Sequence, residues 1–367
     1  MNKRIKMAYT CAGVPGQINW HYELPDAHIP WIGDVGLFRV MDSDGKYMKT
    51  RDGGTCSLFT DDLIMAAYGA RYATNQYEAY LPQLPTRHVE LVGRGGVVAQ
   101  VASKNHTHPG QAIPLELLAF AVDAQGAVIN TLQALTPFRG DTQGAKVLLS
   151  VGSSMDSGKT TTAAHLCGGL GRVGYKTAYI KLTGTAYPKD TIYCYDRGAD
   201  YVTDFSQRGF TSTFQVGTPT LLSLYQELLD ECVRQVKPDY IVVEIADGIL
   251  QQETRELLQN SEFMHTVGGV VLSCGDSLGV LSGIEILKSW GIAPVLISGL
   301  FTASQLLMEE VRPLTKHPIF SIQELLAGNM LPLLAQQIPT PHVNGVPASA
   351  NVLLEQFGLN GVGVLRA

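Results

Sequence analysis

Residues 147–163, with the sequence VLLSVGSSMDSGKTTTA, join an apolar run to a helix-forming run through a segment of small side chains. Five residues separate Gly152 from Gly158, one more than in the common glycine-rich turn that ends in Gly-Lys-Thr. A strand that passes through such a turn into a helix places backbone N–H groups and the helix N-terminus around one concave site. The segment therefore predicts a strand, a tight turn and a helix, with an anion site between them.

The sequence on either side of this segment has two different patterns. Residues 1–140 contain short alternating apolar runs, such as HVELVGRGGVVAQVAS and LELLAFAVDAQGAVINTL, in which glycine-rich clusters favour hairpin turns. This pattern predicts a β-rich domain, a barrel or a sandwich, that binds substrate or a partner. From residue 145 to 335, strand-length runs alternate with amphipathic helices, which predicts an α/β domain with a mostly parallel sheet flanked by helices. Residues 336–367 are expected to form a C-terminal extension.

Composition excludes several classes of protein. The chain has 367 residues, 45% hydrophobic and 16% charged, which is typical of a globular protein. Its net charge of −6 is spread without long runs of one sign, so neither nucleic acid nor a membrane surface is expected as a partner. No run approaches the roughly 18 apolar residues of a membrane span, and the start does not resemble a signal peptide. The scattered cysteines favour neither disulfides nor zinc, so we expect a cytoplasmic protein.

The turn at residues 152–161, hereafter the P-loop, is expected to bind the phosphates of a nucleotide. Lys159 would reach the β- and γ-phosphates, and the Thr160 hydroxyl would be a ligand of Mg²⁺. The expected nucleotide-binding residues are Gly152, Ser153, Ser154, Met155, Asp156, Ser157, Gly158, Lys159, Thr160 and Thr161.

Residues 145–335 resemble dethiobiotin synthetase and its relatives, whose P-loop has the same additional residue. Lys181 follows Lys159 by 22 residues, the separation at which that family has a second lysine that contacts phosphate and substrate. The segment IVVEIADG resembles the family segment that delivers a carboxylate, here Glu244, to the metal, and GGVVLSCGDSLGVLSGIEILKSWGIAPVLISG resembles its later strand, helix and strand. The resemblance implies Mg²⁺ and ATP as cofactors, with Lys159, Lys181 and Glu244 as catalytic residues.

The chain also departs from this family. KLTG replaces Lys-Pro-Val, IADG replaces Gly-Ala-Gly-Gly, and SGLFT stands where relatives have the asparagine that reads the base. Dethiobiotin synthetase also lacks the N-terminal half, so the identity of the acceptor substrate is not implied. GTP is not excluded, although the Asn-Lys-x-Asp signature of guanine binding is missing.

Several other residues are candidates with plainer alternatives. Thr183, Thr185 and Asp190 lie in a long polar loop. This loop either closes over the substrate and places these residues near the metal, or it is only a surface loop. Asp247 is either a metal or substrate contact or a helix cap. In the N-terminal half, His106 and His108 are either a metal-binding pair or part of a plain loop. A second group either lines a pocket or has ordinary capping and packing roles: Asp61, Asp62, Arg71, Tyr72 and Tyr77. Cys11 is either a nucleophile or a structural residue.

The sequence thus favours a kinase- or ligase-type enzyme that uses Mg-ATP to phosphorylate a carboxylate- or carbamate-like group of a small metabolite. The alternative is a nucleotide-operated switch or maturation factor, an NTPase that binds a protein partner. Against this alternative, Ser154 stands where partitioning ATPases have a further lysine, and no Cys/His cluster is evident. The sequence leaves the oligomeric state open, and a homodimer would fit the resemblance.

Overall fold

The computed structural model describes residues 4–16 and 18–337. As far as Val122 the regular elements are strands, with short 3₁₀ turns between some of them. These strands are Ile5–Met7 (β1), Asn19–His21 (β2), Val35–Val40 (β3), Asp44–Lys49 (β4), Thr55–Phe59 (β5), Leu63–Tyr68 (β6), Arg71–Tyr72 (β7), Tyr77–Tyr80 (β8), His88–Gly93 (β9), Val97–Lys104 (β10) and Ile113–Val122 (β11).

Five of these strands close into a barrel. β6 pairs with β3, β3 with β11, β11 with β9 and β9 with β10, all antiparallel, and β10 then pairs with β6 in parallel. The turn Gly93–Gly96 joins β9 and β10 as the sequence predicts. Phe38, Tyr68 and Phe120 pack their rings together in one buried cluster of this barrel. The barrel is therefore filled by side chains, and its ligands must bind outside it.

The C-terminal half alternates strands and helices. Its strands are Lys146–Gly152 (β12), Thr177–Lys181 (β13), Tyr201–Asp204 (β14), Tyr240–Glu244 (β15), Val267–Ser273 (β16) and Leu296–Ser298 (β17). Its helices are Lys159–Arg172 (α1), Lys189–Arg197 (α2), Thr218–Val236 (α3), Gln252–Gln259 (α4), Ser261–His265 (α5), Ser277–Ser289 (α6), Gln305–Val311 (α7), Ile322–Leu326 (α8) and Leu331–Gln337 (α9).

These strands form a parallel sheet in the order β14-β13-β15-β12-β16-β17. Adjacent residues of β12 bury opposite faces: Leu148 belongs to the cluster that contains α1, α2 and α8, and Leu149 to the cluster that contains α3 and α6. The predicted α/β domain and β-rich N-terminal half are confirmed. Because the strands are parallel, the ends of β12, β13 and β15 meet at one edge, where ligands bind in such sheets.

The two halves share an apolar core. Val92, Val97 and Ala99 of the barrel belong to the same buried cluster as Val147 and Leu149 of the sheet. The connecting segment lies along α3, where hydrogen bonds and an ion pair hold it; these contacts join Thr136 to Glu227 and Arg139 to Asp230. The barrel is thus fixed against the sheet rather than tethered to it. The predicted domain limits stay predictions, and residues 338–367 of the predicted extension lie outside the described part.

Among the helices of residues 4–16 and 18–337, none has both the length and the apolar character required to cross a membrane.

Candidate functional site

The P-loop has the local geometry that its sequence predicts. β12 ends at Gly152, and α1 begins at Lys159 with Gly158 as its N-cap, at a positive φ of 94°. A Cβ on Gly158 would lie 2.9 Å from the backbone nitrogen of Leu300, so this position requires glycine for two reasons. Glycine also offers no side chain to cap α1. The first-turn N–H groups therefore remain available to an anion, as in phosphate-binding loops.

Contacts on both sides hold the P-loop in place. Ser153 donates its backbone N–H to the carbonyl of Ser273, at the end of β16, and Leu300 donates to the carbonyl of Ser157. The loop therefore rests on the ends of the neighbouring strands. This support gives an anion site its shape before the ligand arrives, which lowers the cost of binding.

Lys159 lies at the centre of the P-loop. Its side chain is buried, and its Nζ donates a 2.8 Å hydrogen bond to the carbonyl of Ser154. Burial lowers the pKa of the Lys159 ammonium, and the nearby charges of Glu244 and Asp247 oppose that shift. Incoming phosphates would add negative charge and so stabilise this buried cation further.

Thr160 and Glu244 form a pair of oxygen ligands beside Lys159, in which Glu244 is buried and Thr160 is half-buried. The Thr160 hydroxyl donates to Oε1 of Glu244 at 3.0 Å, and the Tyr179 hydroxyl donates to Oε2 at 2.7 Å. Glu244 is only 2% exposed and makes no ion pair in the part of the chain that the structure describes. A hydroxyl and a carboxylate at this separation are the hard oxygen ligands that Mg²⁺ takes, so these residues fit the ion.

Lys181 lies one strand further along the same edge. It pairs in register with Glu244 on β15, and its ammonium forms an ion pair with Asp190, in the first turn of α2. No hydrogen bond joins Asp190 to Thr160 or Glu244 among the described residues. The metal role of Asp190 stays a prediction, and its observed contact indicates that it orients Lys181.

Asp247 follows β15 in a turn at a positive φ of 62°. Burial raises the pKa of its carboxyl, and the charges of Lys159 and Lys181 act against that rise. Thr183, on the neighbouring loop, accepts a hydrogen bond from the backbone N–H of Ala246 and so supports the same turn. Asp247 therefore belongs to the electrostatic environment of both lysines.

A cavity of about 1180 Å³ opens between the P-loop and the barrel. It exceeds the roughly 300–1,000 Å³ of a typical small-molecule pocket, and so has room for a nucleotide and a second ligand. The lining residues from the C-terminal half include Asp156, Lys159, Thr160, Lys181, Thr185, Asp190, Glu244 and Asp247; those from the N-terminal half include Lys46, Tyr47, Arg71, Tyr72, Tyr77, Arg94 and His108.

The candidates of the N-terminal half separate into two groups. Arg71, Tyr72, Tyr77 and His108 line the cavity, and the His108 ring packs edge-on against Tyr77. In the described residues no three His, Cys, Asp or Glu side chains are grouped to hold a metal, so His106 and His108 lack the further ligand they would need.

Asp61, Asp62 and Cys11 are not among the residues that line the cavity. Asp62 forms an ion pair with Lys6. Cys11 is fully buried, and burial raises the pKa of its thiol to about 12, which suppresses the thiolate that a nucleophile needs.

Sequence reasoning missed two features of the site. Asn75, in the turn between β7 and β8, contacts Asp156 of the P-loop, and Arg94 with Tyr47 forms the outer wall of the cavity. The Gly-Arg-Gly-Gly segment indicated a turn, but no local pattern marks Asn75 or Arg94 as neighbours of residues far along the chain.

Comparison with known proteins shows no family for this chain. No family model matches the chain, and no curated protein matches it. A DUF1611 family protein from Anabaena variabilis aligns with 12% identity over 58% of this chain and 65% of its own, at a TM-score of 0.39. The alignment thus spans less than two thirds of that protein.

Two further solved structures are similar over about half of this chain. The signal recognition particle receptor FtsY from Elizabethkingia anophelis, in complex with GDP, aligns with 12% identity over 56% of this chain and 57% of its own, at a TM-score of 0.33. A GTPase from Pyrococcus abyssi aligns with 14% identity over 53% of this chain and 98% of its own, at a TM-score of 0.32. At such values no activity carries over.

A parallel sheet, a strand that enters the loop before α1, and a neighbouring strand that ends in a carboxylate together form the nucleotide-binding arrangement of P-loop domains. The N-terminal barrel covers the open side of that arrangement, since its residues line the same cavity.

Proposed function

We propose that the protein binds a nucleoside triphosphate with Mg²⁺ at the P-loop and transfers its γ-phosphoryl group to a small metabolite in the cavity. The observation that carries this proposal is the hydrogen bond from the half-buried Thr160 to the buried Glu244 beside Lys159, facing a cavity large enough for a second ligand. A regulatory NTPase also needs the loop and the pair. The size of the cavity against the barrel favours a small acceptor over a protein partner.

The roles of the residues follow from their charge and position. The P-loop N–H groups and Lys159 would bind the β- and γ-phosphates, and Lys181, held by Asp190, would offset charge on the group in transfer. Thr160 and Glu244 would hold Mg²⁺, which when bound neutralises the phosphate oxygens. Phosphoryl transfer depends mostly on such positioning and charge neutralisation.

A carboxylate or carbamate is the acceptor that this chemistry fits best. One of its oxygens would attack the γ-phosphorus, forming a P–O bond, while the bond from that phosphorus to the β–γ bridging oxygen breaks. The electron pair leaves with the nucleoside diphosphate. Because a carboxylate is already deprotonated, the step needs no general base, and the mixed anhydride is activated for ligation or cyclisation. The resemblance to dethiobiotin synthetase supports this acceptor class, with ATP favoured over GTP.

The test compares Lys159→Ala with Lys288→Ala, a matched control because Lys288 is exposed and pairs with Glu285 at the surface. Thermal shifts with Mg-ATP and Mg-GTP measure binding, and a phosphate-release assay with candidate carboxylates measures turnover. We expect Lys159→Ala to lose the nucleotide-dependent shift and about 10²- to 10³-fold in turnover, and Lys288→Ala to retain both.

Two results would contradict the proposal. Wild-type nucleotide binding by Lys159→Ala would mean that the P-loop does not hold the phosphates. Nucleotide hydrolysis that no small carboxylate changes, together with nucleotide-dependent capture of a protein, would instead identify a switch or maturation factor.

A further inference from the structure

The two walls of the cavity carry different charges. Within the described residues, all four carboxylates that line it, Asp156, Asp190, Glu244 and Asp247, belong to the C-terminal half. The N-terminal wall, formed by residues 46–47, 71–77, 91–94 and 108–113, contributes cationic side chains and no carboxylate. This asymmetry indicates that an anionic part of a ligand faces the barrel.

Arg71 is the enclosed cation of that wall. Its guanidinium donates to the carbonyl of Val92 and to Oε1 of Gln76, which uses two of its five N–H donors. Its Nε is buried without a hydrogen-bond partner, and Arg71 makes no ion pair in the described part of the chain. A half-buried guanidinium without an ion-pair partner has a desolvation cost that the carboxylate of a ligand would offset.

Arg71 is also close enough to Lys159 and Lys181 to share an electrostatic neighbour with them. The charge of Asp247 acts on Lys159 and Lys181 and, more weakly, on Arg71. Tyr77 lies under the Arg71 guanidinium, 5.9 Å from ring centroid to Cζ, and so restricts its orientation. A guanidinium fixed in this way presents its remaining donors as a fork that matches a carboxylate.

We propose that the acceptor is a dicarboxylate: one carboxylate binds Arg71, and the other faces Lys159 and Lys181 to receive the phosphoryl group. The role of the carboxylate that faces Lys159 and Lys181 depends on the proposed function, whereas the binding of the other carboxylate at Arg71 does not. Arg94, whose guanidinium lies 4.1 Å above the Tyr47 ring, and Lys46 extend the same positive wall toward the cavity mouth.

The experiment uses the full chain with Mg²⁺ and β,γ-methylene ATP. Isothermal titration measures binding of α,ω-dicarboxylates of increasing length, each beside the monocarboxylate of equal length. The variants are Arg71→Gln, Arg71→Lys and a control, Arg39→Gln; Arg39 pairs with Glu116 on the barrel and does not line the cavity.

We expect the wild-type protein to bind at least one dicarboxylate about 30-fold more tightly than its monocarboxylate. Arg71→Gln should abolish this preference, Arg71→Lys should retain part of it because the charge remains without the fork, and Arg39→Gln should keep all of it. Affinity for the nucleotide analogue should not change in any variant. Near-ultraviolet circular dichroism checks that the variants fold.

Three results would overturn the proposal: no dicarboxylate preference in the wild-type protein, an unchanged preference in both Arg71 variants, or an equal loss of nucleotide affinity in Arg71→Gln. The last result would place Arg71 at the nucleotide. Titrations repeated without nucleotide separate the two proposals. If the protein binds dicarboxylates through Arg71 but binds no nucleotide, the proposed phosphoryl transfer fails and the Arg71 subsite stands.

Discussion

Asn75 donates a 2.8 Å hydrogen bond from Nδ2 to Oδ2 of Asp156, and this bond joins the N-terminal half directly to the P-loop. Asp156 has a positive φ of 61°, a conformation that costs free energy in a residue other than glycine. The neighbouring Thr74 also contacts Met155, through its hydroxyl and the thioether sulfur. The turn between β7 and β8 therefore supports the strained part of the loop.

Asn75→Ala should weaken nucleotide binding without unfolding the protein. The bond is exposed, so its loss is worth about 0.5–1.5 kcal/mol, or roughly 2- to 12-fold in the dissociation constant of Mg-ATP. Titration calorimetry measures that constant. Asn19→Ala, at an exposed position of β2, is the control and should bind as the wild-type protein does. Equal affinities of the wild type, Asn75→Ala and Asn19→Ala for Mg-ATP would show that the turn between β7 and β8 does not shape the P-loop.

Gly158→Ala should abolish nucleotide binding, and Gly174→Ala should not. Both glycines have nearly the same positive φ, 94° and 93°, so alanine strains the backbone at both by about 1 kcal/mol or more. A Cβ at Gly174 meets nothing within 4 Å, whereas at Gly158 it lies 2.9 Å from the Leu300 nitrogen. Chemical denaturation and nucleotide thermal shifts measure the two effects separately.

The comparison of Gly158→Ala with Gly174→Ala also has an outcome that would contradict the prediction. If Gly174→Ala lost as much nucleotide binding as Gly158→Ala, general destabilisation would explain both, and the close approach to Leu300 would have no specific role.

Local patterns in the sequence account for the parts of the site that lie on single elements. The P-loop, Lys159, Thr160 and the strand that ends in Glu244 follow from spacing within a few residues of each motif. Lys181 follows too, because parallel strands end at one edge and β13 is the next strand along the chain.

The other contacts depend on pairings that no local pattern encodes. The parallel pairing of β10 with β6 closes the barrel, but the alternation within each strand indicates only which faces are buried. The ion pair between Lys181 and Asp190, and the contact of Asn75 with Asp156, join residues on different elements. Tertiary packing sets these pairs, so the sequence indicates Arg71, Tyr72 and Tyr77 as candidates for a pocket wall but not which residues they face.

Glu244→Gln should separate metal binding from the fold. Glutamine can keep contacts to Thr160 and Tyr179 but lacks the charge that holds Mg²⁺. We expect nucleotide turnover to fall about 10²- to 10³-fold and the stabilisation by nucleotide to lose its dependence on Mg²⁺. Thermal shifts with ATP, with and without Mg²⁺, measure that dependence.

The matched control is Glu285→Gln, which removes a carboxylate from an exposed ion pair with Lys288. It should retain wild-type turnover and Mg²⁺ dependence. A Mg²⁺-dependent shift that survives in Glu244→Gln would assign the metal to other ligands, with Asp190 and Asp247 the next to be replaced.

Asp247→Asn should stabilise the protein without ligand at neutral pH and impair its turnover. Burial raises the pKa of the Asp247 carboxyl above that of an unfolded aspartate, about 3.9. The native state therefore binds its proton more tightly than the unfolded state, and stability contributed by this group is lost as pH rises through the native pKa. Asparagine removes this loss and tolerates the positive φ of 62° at position 247.

The measurement is the free energy of unfolding by urea at pH 7 and below pH 4, for the wild-type protein, Asp247→Asn and the exposed control Asp196→Asn. The difference between Asp247→Asn and the wild type should be larger at pH 7, because the native carboxyl is protonated at the lower pH and then resembles the amide. Asp196→Asn should show no such pH-dependent gain. A gain at position 247 that is equal at both pH values would mean that Asp247 carries no charge penalty in the native state, and that Lys159 and Lys181 fully compensate its burial.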